Sequence, residues 1–498
     1  MEGGPVDPTD EVLVDRFVPF IDELAEAIAE RGDEPLAVTM ASALKDIPPS
    51  QRQRVMFQEM LRYREAVEKP AADALRHRKA FFPSAVEKVS YGNSHRDALD
   101  GVETRLVHVT KPPQISHLAL RVSWPPDSVL RSFPPCGLII NSNRNILLMY
   151  VGPYRPGLGS QGFYLVYDCR ANSVAVIPPV PLDSVPMFSH SSIGTGAAVL
   201  HYGPEYLVVE LFLQRNNGCI SNKATLLMWW SDRAGHWTQR EVMLPLPSEP
   251  EEHTSRPSYT FCADLVFPVG NKGLCWADLL LGVLVCDDIS AAQPQFQFLP
   301  VPGYIKAGID GRGEPRAHRS MCGVEYDGNQ FIKFVTVDGY GQSQDHSCVT
   351  IKLWTLSVVK TSEWRQSFVI NYGSLLADPL LKLHQLMPTF PIISMVDDGI
   401  VYITGAADLE SMNGRPEDRG RYVLSIDMER QSVLSSFKLP TASGRIPTNI
   451  FASTFISYLN KKSPPSEAQR KRKERTGSSS FPPHGLSEPS CPSPSSSI

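Results

Sequence analysis

Apolar and polar positions alternate along most of the chain, and one alternating phrase returns at long intervals. Its clearest copy is Gly282-Val283-Leu284-Val285-Cys286-Asp287, an apolar strand closed by an Asp, followed thirteen residues later by Pro300-Val301-Pro302. Residues 163–168 lead in the same way to Pro178-Pro179, residues 226–232 to Pro245-Leu246-Pro247, and residues 422–427 to Pro440. Residues 351–357 form a further copy with Ser357 where the Asp would stand. The anchors at 168, 232, 287, 357 and 427 lie 64, 55, 70 and 70 residues apart. A second hairpin precedes each phrase, turning at Asn141–Asn145, Tyr202-Gly203-Pro204, Gly270-Asn271-Lys272-Gly273, Asp327-Gly328-Asn329 or Asp397-Asp398-Gly399. Glycine and asparagine supply the positive φ that tight hairpin turns require. Two hairpins per unit make a four-stranded meander, and a strand-only repeat of this length predicts propeller blades.

The fold class expected is therefore mainly β, a propeller with an appended helical module and tail. Five units are visible, at about 136–181, 192–247, 261–302, 320–372 and 390–440. An open ring would leave reactive strand edges. The alternating stretches at 105–109, 115–124 and 450–459 are the material for a sixth blade. Tryptophans fall about once per blade, with Trp237 and Trp364 at similar places, which predicts inter-blade packing.

Periodicity differs before residue 82. Val12, Leu13, Phe17, Phe20, Ile21, Leu24 and Ile28 recur at helical spacing up to a stop at Gly32, with Pro19 predicting a kink. A second helix is expected over 36–44, ended by Pro48-Pro49. Ser50 and Gln53 form a capping box for a third, which carries Val55, Met56, Met60 and Tyr63. Pro70 opens a fourth running to about 81. The division expected is a helical module at 1–81, a polar linker at 82–104, a propeller at 105–460 and a disordered Ser/Pro-rich tail at 461–498.

Charge changes the picture only at the end of the chain. The net charge is −5, which makes no global case for nucleic acid or an anionic membrane. From residue 461 onward, seven Lys and Arg face three Glu, so the tail carries +4 and the rest −9. Lys461 and Lys462, an eight-residue spacer (463–470) that ends in Arg470, then Lys471, Arg472 and Lys473 resemble a bipartite nuclear-import signal. The nine cysteines are scattered, several inside apolar strands, and no Cys-x-x-Cys occurs. The N-terminus lacks an apolar signal region and no stretch is long enough to span a bilayer. Nucleus or cytosol is the compartment expected, with no membrane partner.

Candidate chemistry is sparse. Gly157-Leu158-Gly159-Ser160-Gln161-Gly162 fits G-x-G-x-x-G, but a strand follows where a pyrophosphate site needs a helix. The strand-end Asp168, Asp232, Asp287 and Asp427 are expected to be structural, their carboxylates bonding turn N–H groups. Histidines do not pair at metal-ligand spacing and no G-x-S-x-G elbow occurs. Catalytic, cofactor-binding and metal residues are therefore expected to be none.

Residues 163–181, the run from Cys275-Trp276-Ala277-Asp278-Leu279 to Pro302, and Ile351-Lys352-Leu353-Trp354-Thr355-Leu356 resemble a grass-expanded plant family of unknown function numbered 1618. Pro112-Pro113-Gln114-Ile115-Ser116 followed by residues 120–124 is similar to the start of that family's proteins. The resemblance covers about 105–460. It implies an F-box-associated, kelch-like propeller with no known activity. Residues 1–80 lack the Leu-Pro start and Trp-containing end of an F-box. The function expected is a non-enzymatic interaction module whose propeller loops bind a protein or peptide partner. The alternatives are a substrate-recognition subunit of a ubiquitin ligase, and a hydrolase with a channel active site.

Overall fold

The computed structural model describes most of residues 11–74 and 103–458. The principal segments outside the description are 1–10, 75–102, 123–135, 152–162, 178–195, 248–260, 304–313, 340–347, 376–385, 408–420, 440–449 and 459–498. The Gly157–Gly162 motif, the 82–102 part of the expected linker and the Lys461–Lys473 basic run lie outside the described residues.

Four strands precede the first visible repeat: β1 (Val12–Asp15), β2 (Phe17–Asp22), β3 (Glu103–His108) and β4 (Ile115–Val122). Blade one is β5 (Cys136–Asn143), β6 (Ile146–Val151), β7 (Phe163–Asp168) and β8 (Ser173–Ile177). Blade two is β9 (Ala197–Tyr202), β10 (Glu205–Asn216), β11 (Cys219–Trp230) and β12 (Thr238–Met243). Blade three follows as β13 (Leu265–Val269), β14 (Gly273–Asp278), β15 (Gly282–Cys286) and β16 (Phe296–Pro300). Blade four is β17 (Arg319–Tyr326), β18 (Asn329–Asp338), β19 (Thr350–Ser357) and β20 (Arg365–Asn371). Blade five is β21 (Leu386–Ile393), β22 (Ile400–Ala407), β23 (Arg421–Asp427) and β24 (Ser432–Lys438). Each is an antiparallel meander in sequence order. Five of the units end where the repeated phrase places them, and the fold is a six-bladed propeller.

The sixth blade closes the ring from both chain ends. Its order is β25 (Ile450–Ser453), β1, β4 and β3. β1 runs antiparallel to β25, with Val12 opposite Ser453, and parallel to β4, with Leu13 opposite Ile115. One residue later the same N-terminal segment changes blades. Phe17 pairs with Leu138 of β5, while Phe20 stays beside Leu120 of β4. This segment joins the sixth sheet to the first and leaves no free inner edge there.

That result corrects the helix expected from residue 12. Val12, Leu13, Phe17 and Ile21 fit a helical stripe, but Val12, Phe17 and Ile21 are also β-branched or aromatic residues suited to strands. Ladders on both sides decide the matter, since Val12, Leu13 and Val14 are buried with their backbone groups paired to neighbours. Pro19 is a strand residue opposite Cys136 rather than a helix kink.

Helices begin at α1 (Glu23–Glu30), which stops at Gly32 with φ of 76°. α2 (Leu36–Leu44) has the span expected. α3 (Pro49–Tyr63) starts one residue before Ser50, with Pro48 at the cap and Pro at the first turn, so no capping box forms. It does not stop before Pro70. A π turn at Arg64–Glu68 widens the helix, and the Lys69 N–H bonds the Arg64 carbonyl. The wider turn accommodates the proline's missing donor and ring, which an α-helical turn would not.

Blade faces pack on one another through alternate residues. Leu207, Leu226, Trp276 and Leu284 share one core between blades two and three, and Val335, Leu353, Ile403 and Leu424 another between blades four and five. Trp364 of blade four donates to the Pro300 carbonyl of blade three at 2.9 Å, and the Trp237 ring meets Tyr164 of blade one at 6.2 Å. Both therefore pack between blades.

Candidate functional site

Each blade's first strand lies innermost, and β5, β13, β17, β21 and β25 line a cavity of about 120 Å³. The upper face is the end at which first strands begin. Its loops run from the last strand of one blade to the first of the next, and from second to third strand. The lower face carries the remaining turns, including all four strand-end aspartates singled out from the sequence.

On that lower face Asp168 accepts bonds from the Arg170 N–H at 2.9 Å and the Asn145 side chain at 2.7 Å. Asp427 accepts from the N–H groups of Glu429 and Arg430 at 3.0 and 2.8 Å. Blade three differs: Asp287 is exposed, and Asp288 accepts from the N–H and hydroxyl of Ser290 instead. Asp232 is exposed, and the turn bond from the Tyr206 N–H goes to Ser231. These four carboxylates sit in separate blades and do not converge.

The channel brings together residues that the sequence pattern does not mark. Arg16 lies at the crossover between β1 and β2. Its Nη1 donates to the carbonyls of Ile139 and Ile140 at 3.0 and 2.6 Å, and its guanidinium lies 4.5 Å from the Phe451 ring centre. Arg316 belongs to a short 3-10 turn at Pro315–Ala317 and donates to the main-chain carbonyl of Asp264. Arg319 opens β17 and donates to the Leu279 carbonyl at 2.9 Å. All three line the cavity, with Ser142, Ser320 and Asn141 adding polar groups and Phe267, Met321 and Ile392 apolar ones. Burial lowers the Arg16 pKa to about 9, and the positive charge of Arg316 adds to the effect. Arg16 is still a cation at neutral pH.

Two carboxylates stand behind these arginines. Asp264 accepts from the Leu279 N–H at 2.9 Å, and Asp278 from the N–H groups of Cys262, Leu280 and Leu281 at 2.8 to 3.1 Å. Burial pushes Asp264 up to about 7, with the Leu279 bond and Arg316 opposing it and Asp278 adding to it. Burial likewise pushes Asp278 up to about 6 against its three N–H bonds and Arg319. The pair stitches the entry of blade three to the loop after β14. Among the described residues no group of three or more His, Cys, Asp or Glu is arranged to hold a metal.

Asn141 ties inner strands across blades, donating to the Val266 carbonyl at 2.9 Å and accepting from the Val199 N–H at 3.1 Å. Away from the channel, α3 presents Met56, Phe57, Met60 and Leu61, between 42% and 57% exposed, and Val38 of α2 is 50% exposed. No described helix is long and apolar enough to cross a membrane.

No curated protein matches the chain. Among solved structures, a Dos1 propeller is 8% identical, covers 61% of this chain and 64% of its own, and has a TM-score of 0.31. A Bombyx mori GH32 beta-fructofuranosidase is 10% identical, covering 62% of this chain and 64% of its own, with a TM-score of 0.29. An exo-beta-1,3-galactanase from Phanerochaete chrysosporium is 11% identical, with coverages of 62% and 65% and a TM-score of 0.28. The chain thus spans slightly less than two thirds of the length of each. Residues 276–402, from within β14 to within β22, match the model of the family described as a protein of unknown function, DUF1618.

Proposed function

We propose that the protein is a non-enzymatic interaction module, whose upper propeller face takes a protein or peptide and whose N-terminal helices take a second protein. The observation that carries this reading is the exposed apolar stripe of α3. Met56 and Met60, and Phe57 and Leu61, are each four residues apart and so share one helix face. A contiguous exposed apolar strip marks a contact surface, and methionine adapts to the shape of a partner. Arg52, Arg54 and Arg62 accompany the stripe, against the single acid Glu59. The partner that fits is a protein with an apolar groove rimmed by acidic residues. A hydrolase would need a carboxyl group free to exchange a proton with substrate. Asp278 instead accepts main-chain N–H bonds on both oxygens, and Asp264 accepts one from Leu279.

The test is affinity purification of the tagged full-length protein beside a Met56→Glu, Phe57→Glu variant, with captured proteins then expressed and titrated directly. The expected result is a partner that binds the wild type, weakens with added salt and loses affinity for the variant. Subunits of a ubiquitin-ligase core among the lost proteins would assign that role to the helices. Equal binding by both proteins would sink the docking role of α3, and turnover of a substrate would sink the non-enzymatic reading.

A further inference from the structure

We propose that the propeller channel holds a compact oxyanion, a phosphate or carboxylate group, against the guanidinium groups of Arg16, Arg316 and Arg319. Three distant segments bring these groups to one cavity of about 120 Å³, which has room for a small polyatomic ion in place of several waters. Each guanidinium is anchored from one side. Arg16 uses Nη1 on two carbonyls, Arg316 uses Nη2 and Arg319 uses Nη1 on one carbonyl each. An arginine carries N–H donors on all three of its nitrogens, so anchoring at one nitrogen orients the group and leaves the others for a ligand.

Charge points the same way. Among the described residues no carboxylate pairs with Arg16, and the charged group acting on it is the like-charged Arg316. Asp264 and Glu314 act on Arg316, and Asp338 and Asp278 on Arg319. Both oxygens of Asp278 and one of Asp264 accept bonds from main-chain N–H groups, and Asp338 accepts from Lys352 at 3.0 Å. Two guanidinium groups facing one partly apolar cavity repel each other. An oxyanion between them replaces that repulsion with charge-assisted, bidentate hydrogen bonds. Ser320 also lines the cavity, as does Ser142, whose hydroxyl pairs with that of Ser453 at 3.0 Å.

This inference deepens the reading of the propeller as a recognition surface and rests on it, because the ligand chemistry it names is that of an acidic or phosphorylated group. The test is calorimetric titration of the full-length protein with inorganic phosphate and, separately, with acetate at constant ionic strength. Binding at a single site per chain is expected. Arg316→Gln and Arg319→Gln should each weaken it by about tenfold or more, as expected for losing a charge-assisted bond. Arg316 lies outside the strand ladders, so its variant keeps the sheet bonds; wild-type circular dichroism would confirm folding. Preference for phosphate assigns the site to a phosphoryl group, and preference for acetate to a carboxylate. No binding of either anion, or affinity unchanged in both variants, would overturn the site. Anion binding by a protein that captures no partner would uphold the site and sink the interaction reading, and partner capture without anion binding would do the reverse.

Discussion

Tyr402 donates a 2.7 Å hydrogen bond to Glu11, which lies 391 residues earlier in the chain. The same carboxylate accepts from the Ser394 hydroxyl at 2.6 Å and the Met395 N–H at 2.7 Å. Glu11 precedes β1, so these bonds fasten the closing strand of blade six to the lower end of blade five. Losing the carboxylate leaves three donors without their acceptor. Glu11→Ala should destabilise the fold by about 2–4 kcal/mol in chemical denaturation, more than a surface substitution. A double-mutant cycle with Tyr402→Phe should show coupling of about 1 kcal/mol or more. Strictly additive effects would mean that the bond does not hold the ring closed.

Acidic groups give the stability a pH slope of predictable sign. Burial raises Asp264 from 3.8 to about 7, Asp278 from 3.8 to about 6, and Glu11 above 4.5. Between these limits the folded chain holds protons that the unfolded chain has released. Stability is therefore highest below about pH 4 as far as these groups are concerned, and falls as pH rises toward 7. Asp264→Asn should flatten the fall by roughly 1–3 kcal/mol across that window, since Asn keeps an acceptor for the Leu279 N–H. Denaturation midpoints measured at intervals from pH 4 to 7 would decide it, an unchanged slope counting against the assignment.

Gly323 of β17 sits where a Cβ would stand 2.3 Å from the Pro268 carbonyl oxygen of β13. Two inner strands approach closely there, and the contact is with backbone that cannot rotate away. Gly323→Ala should cost about 1–3 kcal/mol through overpacking. Gly399, whose added Cβ would meet only atoms at 3.8 Å or beyond, is the control. Its alanine variant should be neutral or slightly stabilising by loss of unfolded-state freedom, roughly 0–1 kcal/mol. Melting temperatures in the opposite order would refute the close approach.

Lys333 is fully buried, yet its ion-pair partner Asp398, 2.8 Å away, has a side chain 73% exposed. The ammonium also donates to the Tyr326 hydroxyl at 2.7 Å and the Asp398 carbonyl at 3.1 Å. Burial pulls its pKa down, but the bonds to Asp398 and Tyr326 outweigh it and the net shift is upward. Replacing the buried charge should be easier than stripping its solvated partner. Lys333→Met is expected within about 1 kcal/mol of wild type, whereas Asp398→Ala should lose about 1–3 kcal/mol. Equilibrium unfolding of both variants tests that order.

The repeating phrase made five blades legible, because strand alternation and hairpin turns are local properties. Gly203 at φ 62°, Gly270 at 67° and Gly328 at 73° occupy the turns their sequences announce. DUF1618 phrases pointed to the same propeller, and the residues 276–402 that match lie within it. The candidate site was not legible. Arg16, Arg316 and Arg319 share no motif and come from a crossover strand, a loop and a strand start.

What the sequence determined by itself is the blade, since a four-stranded meander is specified by contacts between neighbours in the chain. What only the tertiary structure decided is the closure and the channel. Residues 12–22 carry an apolar pattern that a helix or a strand could use, and β25, β4 and β5 chose the strand by pairing both of its sides. That choice carries Arg16 to the channel wall, where ring geometry, and no local preference, sets it beside arginines some three hundred residues away.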